Sequence, residues 1–355
     1  PGDGYRKVKG EAHFLRGSNY YFLVNIYGQP YSKERAATEL GVPLKLNAEI
    51  EDKRFQRNSL EECYQQIVND LQSAVRLLKG LKSTTTYRAN EMAARLLLSR
   101  VFLYQGEWEN VIKQCDTILM DKSYSLLDYN TLTTTSNVIS AKSPETIFTS
   151  GATTYTNTPF LPFINYYFRA SEEILAAYSS NDLRRKFYFR GYSAYAPRKM
   201  LNTKDGSCSD FFLLRLPEVY LNKAEALAML EKTTEAIETI QTLREQRVKT
   251  GTLEDLQLSG EELVNYIRNE RRLELTFEGQ RWFDLRRYAV CPKWPFQKEI
   301  HHPYYVETEI KGARVLRKYD EEPEFYVLPL PENEIVLNGG TLIQNATREQ
   351  KSEVM

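Results

Sequence analysis

The sequence predicts a mostly α fold: tetratricopeptide-like helix pairs forming a scaffold, with a packed loop-rich subdomain containing a few short strands. Two stretches of paired helical periodicity, at 88–120 and 216–247, predict the scaffold. A Thr-, Ser-, Asn- and Tyr-rich stretch over 121–213, with no sustained helical period, predicts the loop-rich part. At 355 residues the chain is long enough to bury a large core without a disulfide or metal staple.

Residues 5–27 read as helix, because Val8, Ala12, Leu15, Asn19, Phe22, Leu23 and Ile26 recur near a 3.6 period. Gly28-Gln29-Pro30 stops it. An irregular connection, 28–57, carries Tyr31 and Pro43. Ser59-Leu60-Glu61-Glu62 has capping-box spacing and opens a helix to about Leu78, with Leu60, Tyr64, Ile67, Leu71, Ala74, Val75 and Leu78 on its apolar face. In 88–120 a helix carrying Met92, Leu96, Leu97 and Val101 breaks at Gly106-Glu107. A return helix then carries Trp108, Val111, Cys115 and Ile118. Two helices and a turn in about 33 residues match the tetratricopeptide period. The pair at 216–247 repeats the pattern with a turn near Lys232-Thr233, and the helices at 5–27 and 59–78 make a third pair split by the long connection.

A strand is expected at Thr146–Ser150 and a short helix at Ser171–Tyr178, with Ser171 as N-cap. Ser259-Gly260-Glu261-Glu262 opens a helix expected to reach about Gly279. Residues 288–355 read as irregular apart from strands at 303–309 and 313–317 and a short helix or turn after Pro331. The chain is thus expected to be one unit over 1–355, with 1–120 and 214–279 as helical scaffold and 121–213 and 280–355 as the loop-rich subdomain. Long irregular segments between helix pairs are uncommon in a compact domain unless they are functional.

The 47 basic and 47 acidic side chains give zero net charge, so the chain lacks the electrostatic footprint of a general nucleic-acid binder. Cys63, Cys115, Cys208 and Cys291 are scattered, and His13, His301 and His302 make no ligand set with them, so no metal and no cofactor is expected. His301 and His302 are adjacent on an expected strand and point to opposite faces, which makes a poor chelate. No apolar run approaches the roughly 20 residues of a membrane helix. No Gly-rich phosphate loop or nucleophile elbow occurs. Pro1 rather than Met stands first, which reads as a processed or truncated chain.

Six blocks, in order, resemble the SusD/RagB family of surface nutrient-binding lipoproteins of Bacteroidetes. They are Gly10–Arg16 with Tyr20–Leu23 and Tyr27-Gly28; Leu103–Trp108; Asn181-Asp182-Leu183-Arg184; Leu214–Ala226; Glu270–Arg287; and Leu328–Ile335 with Asn338, Gln344 and Asn345. His13 stands where Arg is more usual, and the family's lipoprotein signal and the segment before the first block are absent. The resemblance implies non-catalytic capture of an extracellular nutrient, a glycan or oligosaccharide first and an oligopeptide second. It also implies a surface-exposed lipoprotein on the cell outer membrane, held by a lipid anchor missing from this chain. The implied partner is a SusC-like TonB-dependent outer-membrane transporter.

Two constellations bear on chemistry. The stretch Glu270–Arg287 carries Glu270, Glu274, Glu278 and Asp284, which invites a glycosidase acid/base pair. However, Glu274 follows Arg271 by three residues, Glu278 precedes Arg281 by three and Asp284 precedes Arg287 by three, spacings that pair opposite charges on a helix. Paired carboxylates have lowered pKa and make poor general acids, so no catalytic residue is expected. Trp282, Phe283 and Trp108 read as core, and Trp294 in its Pro-bracketed loop reads as more exposed.

The second constellation is aromatic. Tyr155, Phe160, Phe163, Tyr166, Tyr167 and Phe168 lie among Thr, Asn and Pro, followed by Tyr188, Tyr192 and Tyr195. Flat rings that stack on sugars, beside amides and guanidinium groups that bond hydroxyls, match the general make-up of a small-molecule site. The expected ligand-binding residues are Tyr155, Phe160, Tyr166, Tyr167, Tyr192 and Tyr195, with Asn165 and Arg190 as polar partners and Arg198 nearby. The competing readings are rings that seal loops onto the scaffold, a glycoside hydrolase, and a bare tetratricopeptide adaptor.

Overall fold

The computed structural model describes residues 2–133, 138–151, 170–189, 198–199, 206–209, 211–306 and 309–346. Among them the chain forms helices α1 (Asp3–Tyr27), α2 (Leu60–Leu78), α3 (Glu91–Gln105), α4 (Trp108–Leu119), α5 (Glu172–Ala176) and α6 (Arg184–Tyr188). Helices α7 (Leu216–Met229), α8 (Thr233–Glu245), α9 (Gly260–Glu274), α10 (Arg281–Ala289) and α11 (Glu332–Leu337) follow. Strands β1 (Thr146–Thr149) and β2 (Leu213–Arg215) pair antiparallel, as do β3 (Ile300–Val306) and β4 (Glu309–Leu316). The mostly helical fold expected from sequence is the fold observed. No described helix is long and apolar enough to cross a membrane.

Local chemistry accounts for several helix ends. At α2 the Glu62 amide donates to Ser59 Oγ at 3.1 Å and the Ser59 amide to Glu62 Oε2 at 2.9 Å, the reciprocal bonds of a capping box. Asn90 Oδ1 accepts from the Ala93 amide at 2.8 Å and starts α3. Gly106 at φ +73° ends α3, with the Glu107 amide reaching back to Phe102 O at 2.9 Å. Ser171 caps α5 through the Ile174 amide at 3.3 Å. Ser259 makes no side-chain cap bond, and α9 stops at Glu274 rather than near Gly279. Phe277 lies at φ +67° in the turn that separates α9 from α10.

The apolar face expected for α1 is the exposed one. Val8 is 65% exposed, Leu15 52% and Leu23 40%, whereas Phe14, Tyr21 and Val24 are fully buried. The buried stripe also contains Gly10 and Gly17. A Cβ on Gly10 would lie 2.7 Å from Leu78 Cγ, so close backbone approach sets this face. Aliphatic periodicity gives no weight to glycine and therefore selects the wrong side.

The chain divides into two compact units, residues 1–14 with 71–281 and residues 15–70 with 282–355. In the first unit α3 and α4 pack as one antiparallel pair and α7 and α8 as another, around Leu97, Val101, Val111, Cys115, Val219 and Ile240. A second apolar cluster of this unit gathers Tyr129, Ile139, Tyr178, Phe187, Tyr188 and Leu273.

The second unit is stitched by side chains bonding backbone. Arg57 donates to Gly41 O at 2.7 Å, Tyr27 O at 2.8 Å, Ile343 O at 3.0 Å and Leu40 O at 3.1 Å, which holds the irregular 28–57 connection. Asn345 accepts from Arg57 at 2.7 Å and donates to Tyr27 O and Leu328 O, so its side chain is committed to folding. Trp282 and Phe283 are half-buried rather than core, and Trp282 stacks on Tyr326 with centroids 5.4 Å apart. Trp108 and Trp294 are half-buried as well, the latter beneath the Lys293 ammonium at 4.3 Å.

Candidate functional site

The charged residues of the first unit converge on Glu274. Its carboxylate meets Arg215 at 2.7 Å, Arg247 at 3.0 Å and Arg184 at 3.4 Å. Its carbonyl accepts from Arg215 at 2.7 Å and from Lys199 Nζ. Arg215 and Lys199 also share Glu278. Arg247 reaches Glu145 at 2.6 Å, and Arg184 reaches Asp182 at 2.7 Å and Glu270 at 2.9 Å. Arg100 forks onto Glu218 with two bonds of 2.6 Å, and Asn222 accepts from Arg271 at 2.6 Å. All these groups are buried. The Tyr129 and Tyr188 rings lie against Arg247 and Lys199 at 4.2 and 4.0 Å.

Burial alone would push the Glu274 carboxyl up, but Arg247, Arg215 and Arg184 hold it well below the ordinary value. Glu278 is likewise held down by Arg215 and Lys199 against its burial. Burial lowers Lys199 to about 8 even with Glu278 beside it. The expected pairing of these carboxylates is observed, and Glu274 and Glu278 are held in their charged form, but the local partners differ. Of the expected i,i+3 pairs, Asp284–Arg287 forms at 2.9 Å. Glu274 and Glu278 are bound by side chains from other segments.

A different polar surface lies open to solvent in the same unit. The loop between α2 and α3 (Ser83–Asn90), Tyr124, the Ala141–Ile147 segment and Gly206 enclose a cavity of about 430 Å³. Thr86 fixes the loop, donating its hydroxyl to Ala141 O at 2.9 Å and accepting the Thr149 amide at its carbonyl at 2.9 Å. Ser83 Oγ bonds Thr85 O at 2.8 Å. Tyr87, 44% exposed, donates to Ser207 O at 3.0 Å. Gly206 sits at φ +86°, and a Cβ there would lie 2.8 Å from both Tyr87 Oη and Ala141 Cβ. Asn90 donates to Ile147 O at 3.1 Å. Burial, with Asp121 adding to it, pushes the Tyr124 hydroxyl up to about 12, so it stays a donor.

No carboxylate lines this cavity among the described residues. The Thr84 hydroxyl and the Lys142 ammonium make no hydrogen bond to another described residue and are open to a ligand. Cys208 is buried beside Thr149 and Thr146, and burial pushes its thiol up to about 12, which leaves it an unreactive core group.

All eight expected ligand residues lie outside the described residues: Tyr155, Phe160, Asn165, Tyr166, Tyr167, Arg190, Tyr192 and Tyr195. The flanking chain is described at Gly151, two residues beyond the Thr149 that bonds Thr86, and at Gly206 in the cavity wall. Tyr188, grouped with the aromatic cluster in sequence, is fully buried between Tyr129 and Tyr178 and belongs to the core. Sequence reasoning missed Thr84, Thr86, Tyr87, Asn90 and Tyr124. The polar run Ser83–Tyr87 was the available signal, but it reads as an ordinary connection until 141–147 and Gly206 close against it.

With the geometry in place, comparisons give a consistent picture. Residues 119–347 match the model described as the SusD family. Residues 2–103 match a model described as "Starch-binding associating with outer membrane". SusD-like protein P2 of Formosa agariphila is 23% identical over 397 residues, covering 95% of this chain and 73% of that protein. A crystal structure from Bacteroides vulgatus, of a protein proposed to bind sugar, superposes with a TM-score of 0.73 at 26% identity, covering 97% of this chain and 78% of that one. A SusD superfamily structure from the same species gives a TM-score of 0.76 at 23% identity, with 97% and 78% covered.

Proposed function

The chain belongs to the SusD family, and from that membership we propose that it captures a glycan at the outer-membrane surface, without catalysis, for delivery to a TonB-dependent transporter. The observation that carries this reading is the make-up of the cavity wall: hydroxyls, an amide, an ammonium and two phenol rings, with no carboxylate among the described lining residues. Hydroxyl, amide and ammonium donors beside aromatic rings suit sugar hydroxyls and ring faces. Glycoside hydrolysis requires two carboxyl groups flanking the scissile bond, at least one of them with a raised pKa. The carboxylates of the nearby ionic cluster are buried, and Glu274 and Glu278 are held below their ordinary value.

Outer-membrane association is supported by the description of the model matching residues 2–103. The aromatic residues Tyr155, Phe160, Tyr166, Tyr167, Tyr192 and Tyr195 are proposed to complete the site as stacking platforms, with Asn165 and Arg190 bonding hydroxyls. Affinity gel electrophoresis against a panel of neutral polysaccharides tests the reading. Retardation by at least one of them, without reducing-sugar release, is the expected result. Each lost stacking ring, Tyr166→Ala or Tyr192→Ala, should weaken retention by about 1–3 kcal/mol, by analogy with base–aromatic stacking. Retention by no polysaccharide, or sugar release by the purified protein, would overturn it. Copurification with a large β-barrel from native membranes tests the transporter, and its absence from detergent extracts would count against that partner.

A further inference from the structure

A second cavity of about 290 Å³ lies in the same unit, and it shares a wall with the first. Its lining comes from the end of α4 (Leu119), the Asp121–Leu126 segment that turns at Lys122-Ser123, the first turns of α7 (Leu216, Tyr220) and the end of α8 (Thr242, Gln246). Tyr124 lines both cavities. Its half-buried ring stands between the two. The second cavity is amphipathic. Leu119, Leu126 and Leu216 give apolar surface, and the Tyr220 hydroxyl and the Gln246 side-chain amide make no hydrogen bond to another described residue. Burial pushes the Tyr220 hydroxyl up, so it remains a donor.

The cavity of about 290 Å³ falls just short of the range of about 300–1,000 Å³ typical of ligand pockets, that of about 430 Å³ lies at its lower end, and the two joined fall well inside it. We infer that the two cavities are adjoining subsites of one groove, with Tyr124 between them, and that the groove takes a linear neutral oligosaccharide long enough to occupy both. The inference rests on the glycan reading above. It assigns the Ser83–Asn90 cavity to one end of the chain and the Tyr220–Gln246 cavity to the other, with Tyr124 as the central ring against which the chain passes.

The test uses oligosaccharides of increasing length, prepared from whichever neutral polysaccharide retards the protein most, titrated calorimetrically against the wild type, Gln246→Ala and Tyr220→Phe. Melting curves confirm that each variant is folded. Affinity should keep rising beyond the disaccharide. Each variant should lose roughly three- to ten-fold for the longer chains, the worth of one neutral hydrogen bond, and nothing for the disaccharide. An affinity that levels off at the disaccharide, with both variants binding every length as the wild type does, overturns the extended groove and leaves the glycan reading standing. If no polysaccharide retards the wild type, both fall.

Discussion

Glu274 and Thr84 lie in the same compact unit, and they differ in what each side chain has left to offer. The Glu274 carboxylate is consumed by Arg184, Arg215 and Arg247, and even its carbonyl is taken by Lys199 and Arg215. The Thr84 hydroxyl lines an open cavity and bonds no other described residue. The densest chemistry in the sequence is thus spent on holding the fold. The sparse polar wall, free of carboxylates among the described residues, is what remains available to a ligand. Buried ion clusters tolerate the loss of a partner badly, because the remaining charges cannot return to water. Surface hydroxyls and amines can be removed at little cost to the fold.

The largest expected effect breaks the first side of this contrast. Glu274→Gln leaves Arg184, Arg215 and Arg247 buried with their shared anion neutralised, and should cost about 3–5 kcal/mol in urea unfolding. Stability within about 0.5 kcal/mol of wild type would show that the cluster does not hold this unit together. Acid should act on the same groups. Glu274 and Glu278 have folded pKa values below the ordinary 4.5, so they bind fewer protons folded than unfolded. Their contribution is complete above that value and is lost as pH falls through the folded values. Melting temperature should therefore drop steeply below about pH 4.5, and the drop should be shallower in Glu278→Gln.

The same contrast explains what could be read from sequence. The blocks around Asp182, Arg215 and Glu270–Glu278 stand out because charge is dense within a few residues. Their pairing was hidden, since Glu274 meets Arg247, Arg215 and Arg184 at separations of 27, 59 and 90 residues. Local spacing finds only pairs like Asp284–Arg287. The helix pairs and the Ser59 cap were legible because their causes are local. The α1 face was not, because Gly10 packs against Leu78 through its lack of a side chain. The cavity is assembled from four separated segments, none of which has a periodicity or motif of its own. The buried Tyr188 shows that aromatic richness alone does not separate platform from core.

Smaller effects probe the second side. Gly206→Ala places a Cβ against Tyr87 and Ala141 at a positive φ, and should cost about 1–2 kcal/mol by thermal unfolding while displacing the Tyr87 rim. An unchanged melting temperature would mean that the contact relaxes freely. Thr84→Ala and Lys142→Ala should change stability by no more than about 0.5 kcal/mol and yet weaken polysaccharide retention. If both kept full retention, the wall would be ordinary solvated surface.

The central claim is that this carboxylate-free wall, and not the ionic cluster, meets the ligand. Calorimetric titration of the retained oligosaccharide into the double variant Tyr87→Ala/Lys142→Ala tests it most directly. The account predicts a melting temperature close to wild type together with a loss of binding of at least ten-fold, from about one stacking contact and one hydrogen bond. Wild-type affinity in the folded double variant would contradict it.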